Sequence, residues 1–354
     1  MNAIKFTIAG LAAGTAALAL SASDARAAWP ERPITVVVMY GAGGGTDTVI
    51  RTIVNEMAKS TGWKINVINK PGAVGGVATR YVLGKKDDGY TWMGAANYNK
   101  FVRVMGHSKS RAWEDWQYMQ AANSRASWAV RPDSKFKTFQ DIINAAKANP
   151  GKITISTSGQ GGLWHELAAI VAQSAGVTLK YVPYKGGKPA TLAGLNGETM
   201  ITGGGVHEHI AHIRAGNLRS IQQTGSKDID AGGGKIMPSV GNFLPQIKSQ
   251  LPFSGIYNLA IRRSVPKSII SKIEKAFVAG VKSPAFAAIA KKKFFEIDIR
   301  TGKAADRRAA QVESITAATF EKLGVKGSHP ANELGLPKPA AFDGWWPPQG
   351  YKPL

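Results

Sequence analysis

Two short stretches carry the residue types of an anion cradle. Residues 39–50 read MYGAGGGTDTVI: four glycines, then a threonine, an aspartate and an apolar helical pattern. Residues 156–162 read STSGQGG, with Leu163, Trp164 and His165 following. A glycine-rich turn that opens a helix presents unpaired backbone N–H groups at the positive end of the helix dipole. It can hold an anion without any side-chain cation. The candidate ligand-holders of the first stretch are Tyr40, Gly41, Ala42, Gly44, Gly45, Thr46 and Asp47. Those of the second are Ser156, Ser158, Gly159, Gly161, Gly162, Trp164 and His165. Asn97 and Tyr184 complete the set.

The first stretch is not a dinucleotide fingerprint. Gly41 and Gly43 begin G-x-G-x-x-G, but position 46 is Thr, and residues 64–69 lack the acid expected downstream. No Gly-Lys-Ser/Thr follows, so it is not a P-loop either. A carboxylate fits such a loop as well as a phosphate does. A tight strand-to-helix turn without a ligand is the bland alternative. The second stretch is not G-x-S-x-G, because position 156 is Ser. Ser158 and His165 could pair in a hydrolase, but no partner acid is identifiable. His165 therefore reads as a packing or capping residue. His207, His209 and His212 flank Glu208 in GGGVHEHIAHI; the spacing is not H-E-x-x-H. This segment reads as a solvated helix start, with no metal expected. Aromatics at 92, 98, 128, 164 and 184 read mainly as core, with Tyr40, Trp164 and Tyr184 the exceptions beside the glycine loops.

The elements that must position these loops follow a strand–helix alternation. ITVVVM at 34–39 is a strand buried on both faces, and Val49, Ile50, Ile53, Val54 and Met57 mark one helical face after the glycines. KINVIN at 64–69 is the next strand and DDGYTWMG at 87–94 turns into a third, which implies a parallel, doubly wound sheet. The plan recurs later: a capped helix over 138–151, a strand at 152–156, the second glycine turn, a helix over 163–176 and a strand at 179–184. Residues 225–252 read as loop, YNLAI at 257–261 as a strand, and 266–282 and 302–323 as helices. The proline- and aromatic-rich tail from 327 is either a strap packed on the body or a disordered end.

Bulk properties narrow the class. Lys5, an apolar run over 6–20 and the small-residue pattern ARA at 25–27 form a secretory leader, with cleavage expected after Ala27. An uncleaved anchor is the alternative. No later apolar run approaches membrane-spanning length, so a soluble mature chain is expected. There are no cysteines, which excludes disulfides, a thiol nucleophile and thiolate metal sites. The 354 residues exceed one ordinary core, so two domains are expected. The formal net charge of +22 draws anions, but the basic residues are scattered; KKK at 291–293 reads as a solvated helix face. No nucleic-acid module is recognisable.

Taken together, several segments resemble one family, the Bug-type solute-binding proteins of tripartite tricarboxylate transporters. They are WPERPITVVV, GGGTD at 43–47, NKPGAVGG at 69–76, DDGYT at 87–91, NPGKITISTSGQGG at 149–162 with His165, and VPYKGG at 182–187. The resemblance spans about 29–325. It implies an α/β fold of two doubly wound lobes with a ligand cleft between them, in the manner of a Venus flytrap. With the leader at 1–27, the chain divides into lobe 1 at 28–124 and 253–354 and lobe 2 at 125–252. The resemblance implies that the loops matching Tyr40–Asp47 and Ser156–His165 hold a carboxylate, with Asp47 capping its helix and ordering its loop. The expected function is a monomeric periplasmic receptor that captures a di- or tricarboxylate or an aromatic carboxylate and delivers it to integral membrane transporter subunits. No catalysis, cofactor, metal or nucleic acid is expected. A ligand sensor for a signalling partner and a hydrolase using Ser158 and His165 are the rival readings. One region departs from the family pattern. Met200 stands about where an aspartate is expected, and Gly203–Gly205 replace a bulkier, partly polar segment.

Overall fold

The computed structural model describes residues 29–354; the leader expected at 1–27 lies outside the described residues. The first part of the chain runs β1 (Ile34–Val38), α1 (Gly45–Thr61), β2 (Ile65–Asn69), α2 (Gly76–Leu83), β3 (Thr91–Ala96), α3 (Lys100–Val104), α4 (Ala112–Asp115) and β4 (Trp116–Val130). The middle runs α5 (Phe139–Ala148), β5 (Thr154–Thr157), α6 (Leu163–Ser174), β6 (Lys180–Pro183), α7 (Gly187–Leu195), β7 (Thr202–Gly205), α8 (Val206–Arg214) and β8 (Arg219–Gln223). A short hairpin follows, β9 (Ile229–Gly232) and β10 (Lys235–Met237). The chain then returns through β11 (Ser254–Arg262), α9 (Lys267–Val281), α10 (Pro284–Lys293), β12 (Glu296–Arg300), α11 (Gly302–Leu323) and α12 (Phe342–Trp345).

The first lobe's sheet has the order β2-β1-β3-β11-β4-β12. Its β2-β1-β3 part is parallel, as the alternation predicts, but β11, β4 and β12 join antiparallel. The sheet is therefore mixed rather than wholly parallel. β1 lies between β2 and β3: the crossover from β1 runs to one side, and the crossover from β2 carries the chain back to the other. In the second lobe β5 pairs with β6 on one flank and bridges Ile201, just before β7, on the other. Both strands that feed a glycine loop are topological switch points, where the crossovers part and leave a crevice beyond the strand's carboxyl end.

β4 links the lobes. Trp116–Arg125 pair with β11, whereas Ala126–Val130 pair with β7 and β8. The return crossing lies beside it: Thr224 donates its N–H to Ala126 O at 3.0 Å, and Phe253 donates to Thr224 O at 3.0 Å. One apolar core gathers β1, β3, β11 and α1, and two smaller ones lie around β5 and around α8. α6 divides between cores. Leu163, Trp164 and Leu167 face the first lobe, while Ala168, Val171 and Ala172 face the second.

One sequence reading changes here, and one left open is settled. Residues 225–252 are not all loop, because β9 and β10 pair there. The tail is a strap: Phe342 is buried, Trp346 stacks on it at 6.1 Å, and Tyr351 Oη donates to Asp306 at 2.7 Å. Among the described residues no helix is long and apolar enough to cross a membrane.

Candidate functional site

Each glycine loop ends in a helix whose first turn leaves amides without intrahelical acceptors. In α1 the first helical bond runs from Thr48 N to Gly44 O, so the amides of Gly45, Thr46 and Asp47 precede the ladder. In α6 it runs from Glu166 N to Gly162 O, which leaves Leu163, Trp164 and His165. Neither N-cap is a side chain: Gly44 and Gly162 are both extended glycines. The amides are therefore not covered by a capping oxygen of the kind that normally meets them.

The two helix ends face one cavity between the lobes. Tyr40, Gly41, Gly44, Gly45 and Thr46 form one wall, and Ser158, Leu163 and Trp164 form another. Ala96, Asn97, Ile256 and Tyr257 come from the ends of β3 and β11. Gly187, His207 and Glu208 complete it from α7 and α8. The lobes are close: a Cβ placed on Gly41 would lie 3.3 Å from the Lys185 carbonyl. The cavity volume is only about 30 Å³, room for about two waters, so a solute of several carbons enters only if the lobes part.

A family model described as tripartite tricarboxylate transporter family receptor matches residues 49–325. The chain belongs to this family. The receptor is 29% identical over 324 residues to a UPF0065 protein encoded in the gbd 5′ region of Cupriavidus necator, covering 90% of this chain and 96% of that one. Its fold is similar to that of R. palustris Rpa4515 with adipate: TM-score 0.72, 22% identity, 85% of this chain and 99% of that chain. It is also similar to MatC of Rhodopseudomonas palustris with bound malate: TM-score 0.70, 19% identity, 83% and 98% coverage.

The receptor brings eight of the sixteen sequence candidates to the cavity: Tyr40, Gly41, Gly44, Gly45, Thr46, Asn97, Ser158 and Trp164. The others support it or lie elsewhere. Ala42 is exposed. Asp47 turns back on its own loop, accepting the Gly43 N–H at 2.9 Å and pairing with Arg51 at 2.6 Å. Burial works against this carboxylate's charge, but Arg51, the Gly43 amide and Asn69 together hold its pKa below the usual value. Ser156 Oγ accepts the Gly203 N–H at 3.1 Å and ties β5 to β7. Gly159 and Gly162 pack on Val74, and Gly161 on Met105. His165 Nδ1 accepts the Gly161 N–H at 2.9 Å, with its ring 4.4 Å from that of Tyr181. Tyr184 Oη donates to Glu198 at 2.9 Å, away from the cavity.

The segment GGGVHEHIAHI overturns its sequence reading. It is not a solvated helix start. His207 is 3% exposed, His209 is fully buried, and the Glu208 side chain is 7% exposed. The glycines of β7 make this possible. A Cβ on Gly205 would lie 2.2 Å from His207 Cε1, and one on Gly204 would lie 2.7 Å from His209 Nε2. The strand surrenders its side chains so that those of α8 can fold back over it. His207 then packs 5.0 Å from Phe295 and edge-on to Tyr257 at 5.9 Å. Its Nε2 lies 3.2 Å from Tyr257 Oη and 3.5 Å from Glu208 Oε1. Tyr257 Oη in turn meets Ser124 Oγ at 2.9 Å, and Gly205 N donates to Glu208 Oε2 at 2.8 Å. Among the described residues no cluster of three or more His, Asp or Glu side chains has a metal-holding arrangement.

His209 gives a pH prediction. Both ring nitrogens lack partners, and burial pushes its pKa down to about 4 from 6.5. The unfolded chain therefore takes up this proton first. Stability should fall as pH drops from about 6.5 toward about 4 and be unaffected above that window. Denaturant melts of wild type and His209→Gln at pH 7.5 and pH 5 should differ in their pH response by about 2 kcal/mol, the wild type losing more. Parallel pH profiles would show that His209 does not titrate this way.

Proposed function

We propose that this receptor captures a small organic carboxylate in the periplasm through backbone amides of the two glycine loops and delivers it to a membrane transporter. One observation carries the reading: two glycine-capped helix N-termini, one from each lobe, converge on the same cavity. Each dipole favours a carboxylate by about 0.3–1 kcal/mol, more in a dry cleft, and charge-assisted N–H bonds add to this. The adipate and malate carried by the two similar structures support the ligand class. The leader-like pattern at 1–27 supports a periplasmic location, and membership of the family supports a transporter partner. Lobes that part to admit solute and close over it would present a bound-state surface to that partner.

A hydrolase reading finds no support in the geometry. His165 Nδ1 is occupied by a backbone amide, and its ring packs against Tyr181 and Phe320. A thermal-shift screen of mono-, di- and tricarboxylates and aromatic acids tests the proposal. A ligand at 100 times its Kd adds about 2.7 kcal/mol, which for a chain of this length should raise Tm by about 4 °C. No stabilisation by any of them would refute carboxylate capture.

A further inference from the structure

The cavity contains an anion of its own. Glu208 lines the cavity together with the α1 glycines, and its Oε1 packs against Gly187, where an added Cβ would come within 1.7 Å of it. It is held in place rather than adventitious. The Gly205 amide binds Oε2, His207 stands beside Oε1, and Gly187 leaves the space it fills. Burial works against its charge, but His207 and the Gly205 amide outweigh that and keep the group ionised. A second cavity of 260 Å³ adjoins the far side of His207 and Glu208, and Lys188, Lys293 and His212 line it. Lys293 Nζ donates to the His207 carbonyl at 3.2 Å. A carboxylate therefore already stands at the pole toward which these cations are gathered.

Two buried polar atoms of cavity-lining residues still lack partners among the described residues: Tyr40 Oη and His207 Nδ1. His207 is 97% buried by residue, and burial of Tyr40 raises its phenol pKa, so it stays protonated. Buried polar groups without partners call for one, and a solute in the cleft can supply it.

We propose that Glu208 supplies from the protein the second carboxylate of the cleft, so that the bound solute is a monocarboxylate carrying a hydrogen-bond donor. This rests on carboxylate capture by the glycine loops. The solute's carboxylate meets the α1 and α6 amides. Its hydroxyl or ammonium group donates to Glu208. A second carboxylate there would lie against a like charge in a site with little water, which disfavours it strongly. Selectivity arises from repulsion as much as from attraction.

Titration calorimetry on the full mature chain tests this with four probes: glycine, lactate, succinate and adipate. Wild type should bind glycine or lactate at least tenfold more tightly than either dicarboxylate. Glu208→Gln keeps the Gly205 bond and removes the charge. It should lose at least tenfold toward the donor-bearing monocarboxylate and gain at least tenfold toward succinate, an outcome that mere loss of structure cannot produce. Succinate or adipate binding wild type as tightly as the monocarboxylates would overturn the role of Glu208 and leave carboxylate capture standing. The wild-type comparison decides this even if the variant fails to fold. Binding of none of the four, together with no hit in the wider carboxylate screen, would remove the underlying reading and this one with it.

Discussion

Gly45→Ala is expected to weaken binding of the best carboxylate ligand at least 100-fold, equivalent to about 2.7 kcal/mol. Gly45 opens α1 and lines the cavity. A single added Cβ would lie 2.2 Å from Tyr257 Oη and 2.3 Å from His207 Nε2. Neither neighbour is the free end of a flexible chain. Tyr257 is 5% exposed and held by Ser124 and Phe295, and His207 is wedged between Trp164 and Phe295. The methyl group must displace either the amide loop or the Tyr257–His207 wall, and both form the cavity. Glycine here serves close approach rather than a left-handed turn. Gly62→Ala is the matching control at the far end of the same helix. Gly62 has φ 76° with nothing within 4 Å of an added Cβ. That change should cost about 1–2 kcal/mol of stability through backbone strain and leave affinity unchanged. Titration calorimetry on both variants, with thermal melts, separates the two effects. Unaltered affinity in Gly45→Ala would rule out the α1 amides as ligand-holders.

The loops were legible in the sequence because their signal is local. A β-branched apolar run, a glycine turn and an amphipathic helix occupy one continuous window, and the physics of the helix end follows from that alone. The long helix at 302–323 was legible for the same reason. The cavity floor was not. His-Glu-His looks solvated by composition, and its burial is decided by Trp164, Tyr257 and Phe295, which come from other elements. The one local signal was the glycine triplet at 203–205, a strand without side chains, which requires something else to fill its space. β4 was hidden by its buried polar residues. Gln117, Gln120, Ser124 and Ser127 are at most 1% exposed and erase the apolar alternation that marks a strand. Gln120 and Ser124 are tolerated through partners far along the chain: Gln120 donates to Asp298 at 2.7 Å, and Ser124 meets Tyr257. Tyr184 and His165 sit at the right loops but face away, since proximity in sequence does not fix the direction of a side chain beyond a strand end.

Glu166→Gln should be the most destabilising charge change in the molecule, by about 3–5 kcal/mol. Glu166 lies in the first turn of α6, directly behind the second glycine loop, and is 3% exposed. It accepts Lys100 Nζ at 2.9 Å and Thr316 Oγ1 at 2.6 Å, from α3 and α11 of the first lobe. The pair therefore fastens the helix that carries one amide cluster to the lobe that carries the other. Burial lowers the Lys100 pKa, and Glu166 opposes that shift. Without the carboxylate, the ammonium is left desolvated with no opposing charge. It has two escapes: it can lose its proton, or the lobes can part and let water in. Each leaves a mark. The deficit of the variant should shrink as pH rises toward the alkaline range, because deprotonation then costs less. Its ligand-free radius of gyration by solution scattering should exceed that of wild type. Replacing both partners, as in Lys100→Met with Glu166→Leu, should restore much of the stability, because an apolar pair leaves no orphaned charge. Wild-type stability and an unchanged radius of gyration in Glu166→Gln would show that the pair does not hold the lobes together.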